Sequence, residues 1–299
     1  MRKDFSYAMD FTYGFVGLGL MGGSFAKAIR ANILSKSGAK GRILACDMNS
    51  SVLSQSMQDG IISCGYNEKQ VSQMLSLCDV VFICLYPRAT LEFMRAYRES
   101  FKSTSIVTDI SGVKTQILSE LPQVLRDDVD FISGHPMAGS EKEGYAASSG
   151  SVFANRNYIL MPTAQNKKEN LAFFKDLVTS LGFTRIIEAD AALHDHKIAF
   201  TSQLCHVIAA ALVDSAEDTR VTAFGGGSFE DLTRIAMINA PLWTELFAAN
   251  KKELLAHMDS FLLSFGKIRD CLESSDLDKL CRMLEEVRAK RIAMSRIEG

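Results

Sequence analysis

The sequence lacks the cysteine pattern of a disulfide-rich or zinc-binding protein. Its 299 residues contain seven cysteines, an odd number, and no two of them form a CxxC pair. Disulfide frameworks and structural zinc modules use paired, regularly spaced cysteines. The cysteines therefore predict a reducing, cytoplasmic compartment and give no indication of a metal site.

Long hydrophobic runs are also missing. A membrane helix needs roughly 18 to 20 apolar residues in succession, whereas no run exceeds seven, and one of that length, residues 80–86, ends at Pro87. Glycines interrupt the apolar stretch after Phe11, so the N-terminus has no hydrophobic signal core. We expect a soluble protein that does not associate with membranes.

Neither sign of charge is in excess. The 33 Lys and Arg residues nearly balance the 35 Asp and Glu residues, which leaves a formal net charge of −2. A protein that binds nucleic acid through its phosphates carries a clear positive excess, so no nucleic-acid partner is expected. With 47% hydrophobic and 23% charged residues, the chain is too apolar to be disordered, and its length favours two domains.

Short β-rich runs alternate with helical stretches in the first 188 residues. Predicted strands are residues 13–16, 42–46, 80–85, 105–108, 131–132, 158–161 and 185–187, and two of the predicted helices are 22–31 and 169–181. Continuous apolar strands separated by helices are typical of a parallel sheet that is covered on both faces. The predicted fold class is α/β, with a Rossmann-type, mostly parallel sheet in an N-terminal domain of residues 1–188.

The pattern changes near Glu188. Strand signals are missing afterwards, and apolar residues recur every three or four positions through residues 196–213, 243–265 and 277–297. This spacing predicts an all-helical C-terminal domain of residues 189–299, and its apolar faces suggest a subunit interface.

Residues 17–22, with the sequence GLGLMG, match the GxGxxG fingerprint between a predicted strand and a predicted helix. In this fingerprint Gly17 permits a tight turn, Gly19 lets the backbone approach a pyrophosphate, and Gly22 allows close helix–strand packing. The phosphates then lie at a helix N-terminus, where free N–H groups and the helix dipole favour negative charge. The pattern predicts a dinucleotide site.

Asp47 ends the second predicted strand, 25 residues after Gly22. A carboxylate there can accept hydrogen bonds from the ribose hydroxyls of adenosine and would repel a 2′-phosphate. The next three residues include no Arg that could hold such a phosphate, so NAD is favoured over NADP. The predicted cofactor-binding residues are Gly17, Gly19, Leu20, Met21, Gly22, Asp47 and Asp109.

Three further segments are more specific than the glycine loop. They are HPMAGSEK at residues 135–142, SQLCH at 202–206 and GGGSFEDLTRIA at 225–236. With the glycine loop, they make the sequence resemble the prephenate/arogenate dehydrogenase family of tyrosine biosynthesis over nearly the whole chain. The resemblance implies NAD-dependent oxidative decarboxylation of prephenate to 4-hydroxyphenylpyruvate, and a homodimer formed through the helical, substrate-binding domain.

The resemblance also implies roles for individual residues. His135 would take the proton of the 4-hydroxyl of the substrate, a role that suits a neutral imidazole. Arg234 would bind a substrate carboxylate, whose two oxygens match the guanidinium fork. His206, Glu141 and Gly139 would contribute to the substrate pocket.

Two departures from the family pattern concern substrate preference. Gly112 stands where many relatives have a Ser before Val113-Lys114, so we expect Ser111 to supply the catalytic hydroxyl instead. In the helical domain Gln203 and Cys205 replace a His and a Pro that are common in the family.

Other interpretations remain open. Arogenate could replace prephenate as the substrate, and a non-catalytic NAD-sensing protein would not need both His135 and Arg234. A 3-hydroxyacid dehydrogenase would carry a Lys after a glycine pair on a helix, and none follows residues 225–227. His206 could be a core histidine and Arg234 a surface ion-pair partner. Residues 194–196, His-Asp-His, predict no metal site because positions i and i+2 of a helix face different directions.

Overall fold

The computed structural model describes residues 6–295, which fall into two compact units, Met1–Asn250 and Lys251–Gly299. The first unit contains both sheets and most of the helices. The second contains the last two helices.

In the described part of the chain, the centre of the first unit is a parallel sheet of six strands. The strands are β1 (Thr12–Val16), β2 (Arg42–Cys46), β3 (Cys64–Tyr66), β4 (Val80–Ile83), β5 (Ile106–Asp109) and β6 (Asp130–Phe131). Their order is β3-β2-β1-β4-β5-β6, and every neighbouring pair is parallel. Strand order reverses direction between β1 and β4, and in open α/β sheets this is where ligands bind.

Helices connect these strands and cover both faces of the sheet. They are α1 (Leu20–Ile29), α2 (Ser50–Gln58), α3 (Val71–Leu77), α4 (Pro87–Ala96) and α5 (Thr115–Val124). A core rich in Phe lies on one face, where the rings of Phe15 and Phe82 stack with centroids 5.1 Å apart. The core of the opposite face includes Met74, Met94 and Val81. The predicted fold class is confirmed.

A second, separate sheet follows the parallel one along the chain. Strands β7 (Ser133–Pro136), β8 (Asn157–Met161) and β9 (Arg185–Glu188) form a separate sheet in which β7 and β8 are antiparallel. The predicted strand at 131–132 is split, because β6 pairs with β5 through Phe131 whereas β7 pairs with β8 from Ser133 onward. Helix α6 (Lys168–Ser180) connects β8 and β9.

Only helical elements follow β9 within the described residues. These are α7 (Ala191–Ile198), a π-helical turn (Ala199–Gln203), α8 (Leu204–Asp214), α9 (Gly227–Thr233) and α10 (Ala240–Ala249). The stretch Ala191–Asp214 is 24 residues long and, by length and composition alone, apolar enough to cross a membrane. Within this stretch His194, Asp195 and Gln203 are buried and make side-chain hydrogen bonds, and 28% of its apolar part is buried.

The second unit is a helical hairpin. Helices α11 (Lys251–Glu273) and α12 (Leu277–Ser295) are joined by a turn at Ser275. Large apolar side chains are exposed on both helices, including Leu263 at 70%, Phe265 at 59% and Val287 at 57%. The predicted end of the last helix at residue 297 lies outside the described residues.

Candidate active site

The glycine loop has the geometry that a dinucleotide needs. Gly17 has a φ of +88°, which strains any residue with a side chain, and a Cβ at Gly22 would lie 2.0 Å from the carbonyl oxygen of Gly17. Gly19 forms the N-cap of α1 with no side-chain cap, and a Cβ there would meet nothing within 4 Å. The N-terminus of α1 is therefore open to a pyrophosphate.

Asp47 lies beside this loop at the end of β2. One carboxylate oxygen accepts the N–H of Leu18 at 2.7 Å, and the other accepts the N–H of Asn49 at 2.8 Å. The side chain is only half-buried, so its remaining lone pairs can reach a ligand. This position is compatible with the predicted contact to ribose.

A cavity of about 710 Å³ extends from the glycine loop to α8 and α10. Ten of the predicted site residues line it. They are Gly19, Leu20, Met21, Gly22, Ser111, His135, Gly139, Glu141, His206 and Arg234. Gly17 and Asp47 lie outside the lining, where their backbone and side-chain contacts shape the loop. The sequence therefore predicted residues that the fold brings to one place.

Asp109, one of the predicted cofactor-binding residues, is not among the residues that line the cavity. Its carboxylate is completely buried and accepts hydrogen bonds from Lys114 Nζ at 2.7 Å, Ser133 Oγ at 2.8 Å and the N–H of Ser111 at 3.0 Å. Lys114 is buried as well and also donates to the carbonyl oxygen of Gly134 at 2.6 Å. The buried carboxylate therefore links Lys114, Ser111 and Ser133, and cofactor binding by Asp109 stays a prediction.

His135 lies on β7 with its ring facing a second histidine. Its Nδ1 is 2.9 Å from Nε2 of His194, and Nδ1 of His194 is 2.7 Å from a carboxylate oxygen of Asp195. Burial, the adjacent imidazole of His194 and the positive charge of Lys114 together hold the pKa of His135 well below its usual value. His135 is consequently a neutral imidazole at physiological pH.

Asp195 is tied to the start of α5. Its two carboxylate oxygens accept the backbone N–H groups of Lys114 at 2.9 Å and Thr115 at 2.8 Å. Burial raises the pKa of Asp195, but hydrogen bonds from His194 and Thr115 outweigh it and keep the pKa below its usual value. The carboxylate is therefore ionised at neutral pH.

Charged and aromatic side chains form the opposite wall. Arg234 is exposed and its guanidinium is 3.2 Å from the carboxylate of Glu141. His206 stacks on Trp243 with ring centroids 3.6 Å apart, and its Nδ1 donates to the carbonyl oxygen of Ser202 at 3.0 Å. Burial lowers the pKa of His206, so both histidines of the cavity are neutral.

Two of the residues that depart from the family pattern, Gly112 and Gln203, line the cavity. A Cβ at Gly112 would be 3.9 Å from Cε1 of His135, so the family's hydroxyl would stand beside the imidazole ring. Ser111 lies next to it but is buried, and its Oγ accepts the N–H of Val113 at 3.4 Å. Gln203 donates to the carbonyl oxygen of Leu246 at 3.2 Å and accepts from Asn250 at 2.9 Å.

Comparison with known proteins agrees with this geometry. The profile of the prephenate dehydrogenase nucleotide-binding domain matches residues 30–187, and that of the prephenate dehydrogenase dimerization domain matches residues 190–286. The chain belongs to the prephenate dehydrogenase family. This membership confirms the family predicted from the sequence and the prediction that the protein is an NAD-dependent oxidoreductase.

Individual relatives cover most of the chain. It is 28% identical to the prephenate dehydrogenase of Bacillus subtilis over 92% of this chain and 74% of that protein. It is also 28% identical to the cyclohexadienyl dehydrogenase of Zymomonas mobilis, covering 93% of this chain and 94% of that one. The crystal structure of prephenate dehydrogenase from A. aeolicus with hydroxyphenyl propionate and NAD+ superposes with a TM-score of 0.84 at 29% identity, over 95% and 98% of the two chains.

Sequence reasoning for this family member missed three residues around His135. The sequence pattern at His194 and Asp195 indicates neither a metal site nor a catalytic role, and Lys114 appears only within the Val113-Lys114 motif. For His194 and Asp195 the sequence does carry a signal. The pair stands at the start of a predicted helix, where a carboxylate can accept hydrogen bonds from N–H groups of a neighbouring segment. No local pattern in the sequence indicates that Lys114 is buried.

Proposed function

We propose that the protein catalyses the NAD-dependent oxidative decarboxylation of prephenate to 4-hydroxyphenylpyruvate in tyrosine biosynthesis. The observation that carries this proposal is a neutral, hydrogen-bonded His135 in the same cavity as the open N-terminus of α1. Aromatisation of the ring provides the driving force, so the protein needs mainly to orient the substrate and place charge.

His135 is the proposed base. Nδ1 is engaged with His194, which leaves Nε2 for the 4-hydroxyl of the substrate. Nε2 accepts that proton as the C4–O bond gains carbonyl character, and it returns the proton when electrons from the broken carbon–carboxylate bond restore the aromatic ring. The net reaction releases carbon dioxide and neither consumes nor produces a proton at this oxygen.

The glycine loop holds the proposed cofactor. Backbone at Gly19, Leu20 and Met21 would bind the pyrophosphate, and the carboxylate of Asp47 would accept hydrogen bonds from the adenosine ribose. When bound, NAD accepts the hydride that leaves the ring carbon of the substrate. The packing of Gly17 against Gly22 keeps α1 close to β1 so that its N–H groups point into the cavity.

Arg234 is the proposed carboxylate-binding residue. Only one hydrogen bond, to Glu141, is made by its guanidinium in the described residues, so its other donors can meet a substrate carboxylate. His206, fixed against Trp243, would present its Nε2 to the same ligand. Glu141 and Gly139 complete this wall, and Ser111 lies beneath it.

Arogenate is the second candidate substrate. Prephenate and arogenate are both cyclohexadienyl compounds, and the name of the Zymomonas mobilis relative specifies the ring without the side chain. The side chain of prephenate carries a ketone where that of arogenate carries an ammonium group. This chain departs from its family at Gly112, Gln203 and Cys205. Of these, Gly112 and Gln203 line the cavity and would alter the preference between the two substrates.

We further propose a cytoplasmic homodimer with a functional boundary near residue 188. All seven cysteines are free thiols, as in a reducing compartment. The apolar side chains exposed on α11 and α12 need a covering surface, and residues 190–286 match a domain described as a dimerization domain.

The test of this function is to supply the purified protein with prephenate or arogenate, each with NAD or NADP, while following reduced nicotinamide by absorbance. We expect the highest kcat/KM for prephenate with NAD and formation of 4-hydroxyphenylpyruvate. A higher value for arogenate would favour the second candidate. Absence of turnover with either substrate would reject the proposed function.

A further inference from the structure

The hydrogen bonds behind His135 form a chain whose direction is fixed at its far end. Asp195 accepts two backbone N–H groups, from Lys114 and Thr115, and these can only donate. Both of its oxygens thus act as acceptors. Since an ionised carboxylate has no proton to give, the 2.7 Å contact with His194 requires the proton on Nδ1 of His194.

This proton position determines the tautomer of the next ring. A neutral His194 that is protonated on Nδ1 has a lone pair on Nε2. Nε2 lies 2.9 Å from Nδ1 of His135, so Nδ1 of His135 must donate the proton of that hydrogen bond. His135 then has an unprotonated Nε2, which makes no hydrogen bond within residues 6–295.

We propose that His194 and Asp195 are positioning residues that hold His135 in the one neutral tautomer able to accept the proton of the substrate at Nε2. The inference rests on the proposed function of His135 as the base. His194 acts through its hydrogen bond to Nδ1, and Asp195 acts through His194.

The same chain stabilises the charged form of the base. When the substrate O–H bond breaks and an N–H bond forms at Nε2, His135 becomes an imidazolium in a buried setting. Its Nδ1–H bond to His194 then becomes charge-assisted and stronger, while the carboxylate of Asp195 supplies the compensating negative charge. Lys114, whose charge lowers the pKa of both histidines, and its partner Asp109 are the other charged groups around the chain.

The chain ends inside the protein. His194 is 2% exposed and Asp195 is 4% exposed, and the carboxylate is surrounded by N–H donors. A proton taken by His135 therefore has no route to solvent through these residues. This closed end suits a reaction in which the base must return the same proton to the oxygen of the product.

Two amide substitutions of His194 test the roles of its Nε2 and Nδ1 separately. The amide of His194→Gln lies as far from Cβ as Nε2 does, so its oxygen can still accept the Nδ1–H of His135. The amide of His194→Asn lies at the position of Nδ1, so it can donate to Asp195 but does not reach His135. Both side chains are uncharged amides of similar polarity, and His196→Gln, exposed on the same helix, is the matched control.

The measurements are kcat and KM with prephenate and NAD between pH 7 and pH 9, and NAD affinity from the fluorescence of Trp243. We expect His194→Asn to lower kcat by about 10²-fold or more, since loss of the correct tautomer in a comparable His–Asp pair costs up to about 10⁴-fold. His194→Gln should stay within about 10-fold of the parent, with NAD affinity and substrate KM changed by less than about 3-fold in both. Because the defect is one of tautomer, it should be equal at pH 7 and pH 9.

Three results would overturn the proposal. One is equal kcat for the Gln and Asn variants, and another is recovery of the Asn variant at pH 9, which would indicate a shifted pKa. The third is a parallel loss of NAD affinity and kcat, which would indicate a structural role. An inactive parent protein would instead reject the proposed function, so the two failures are distinguishable.

Discussion

Replacement of Lys114 by Met should destabilise the protein strongly. Lys114 and Asp109 form an ion pair in which both side chains are 0% exposed. The substitution Lys114→Met keeps an unbranched side chain one atom shorter, removes its charge and leaves Asp109 with the N–H of Ser111 and the hydroxyl of Ser133. Breaking a buried pair on one side costs about 3 to 5 kcal/mol, because the remaining charge is buried without compensation.

The expected shift can be measured by thermal unfolding. At about 2 to 4 °C for each kcal/mol in a chain of this size, Tm should fall by about 6 to 20 °C. The double variant Lys114→Met/Asp109→Asn should recover much of this loss, because an amide can accept from Ser111 and donate to Ser133 without a charge. Lys102→Met is the matched control, since the Lys102–Asp79 pair is exposed and should contribute less than about 1 kcal/mol.

The same variant should also change the pH dependence of activity. The positive charge of Lys114 helps to lower the pKa of His135, so its removal raises that pKa. The base then stays protonated to a higher pH, and the acid limb of kcat/KM should move upward. A Tm within 2 °C of the parent, or a double variant no more stable than the single one, would refute this account of the buried pair.

Three further predictions concern the cavity itself. In the parent, burial keeps the pKa of His135 well below its usual value of 6.5, so kcat/KM should be flat from pH 7 to pH 8.5 and fall only below about pH 6.5; an acid limb centred above pH 7 would contradict this. Arg234→Gln should raise the KM for prephenate by about 30-fold or more, the equivalent of at least 2 kcal/mol, whereas an unchanged KM would exclude carboxylate recognition by Arg234. Asp47→Ala should reduce the preference for NAD over NADP, and a variant as selective as the parent would show that another residue contacts the ribose.

Local patterns were sufficient for the dinucleotide end of the site. The requirements at Gly17 and Gly22 arise within one turn between a strand and a helix, so spacing in the sequence predicts them. The apolar strands of the central sheet were predicted for the same reason. The short β3 was missed, because its three residues, Cys64–Tyr66, include a Gly and carry no extended apolar run.

Long-range contacts account for what the sequence did not predict. His135 and His194 are 59 residues apart, and Lys114 binds Asp195 across 81 residues. These pairs depend on the packing of β7 and α5 against α7, which no local spacing encodes. The separate sheet of β7, β8 and β9 was missed for a related reason, since pairing partners are chosen by tertiary structure and not by strand propensity.

The variant His135→Asn tests whether His135 is the base. Its kcat is measured with prephenate and NAD, and its affinity for NAD is measured separately. We expect kcat to fall by about 10² to 10⁴-fold, because the variant has no group that can take the proton of the 4-hydroxyl. NAD affinity should equal that of the parent, since the glycine loop and Asp47 are untouched. A kcat equal to that of the parent would contradict the assignment of His135 as the base.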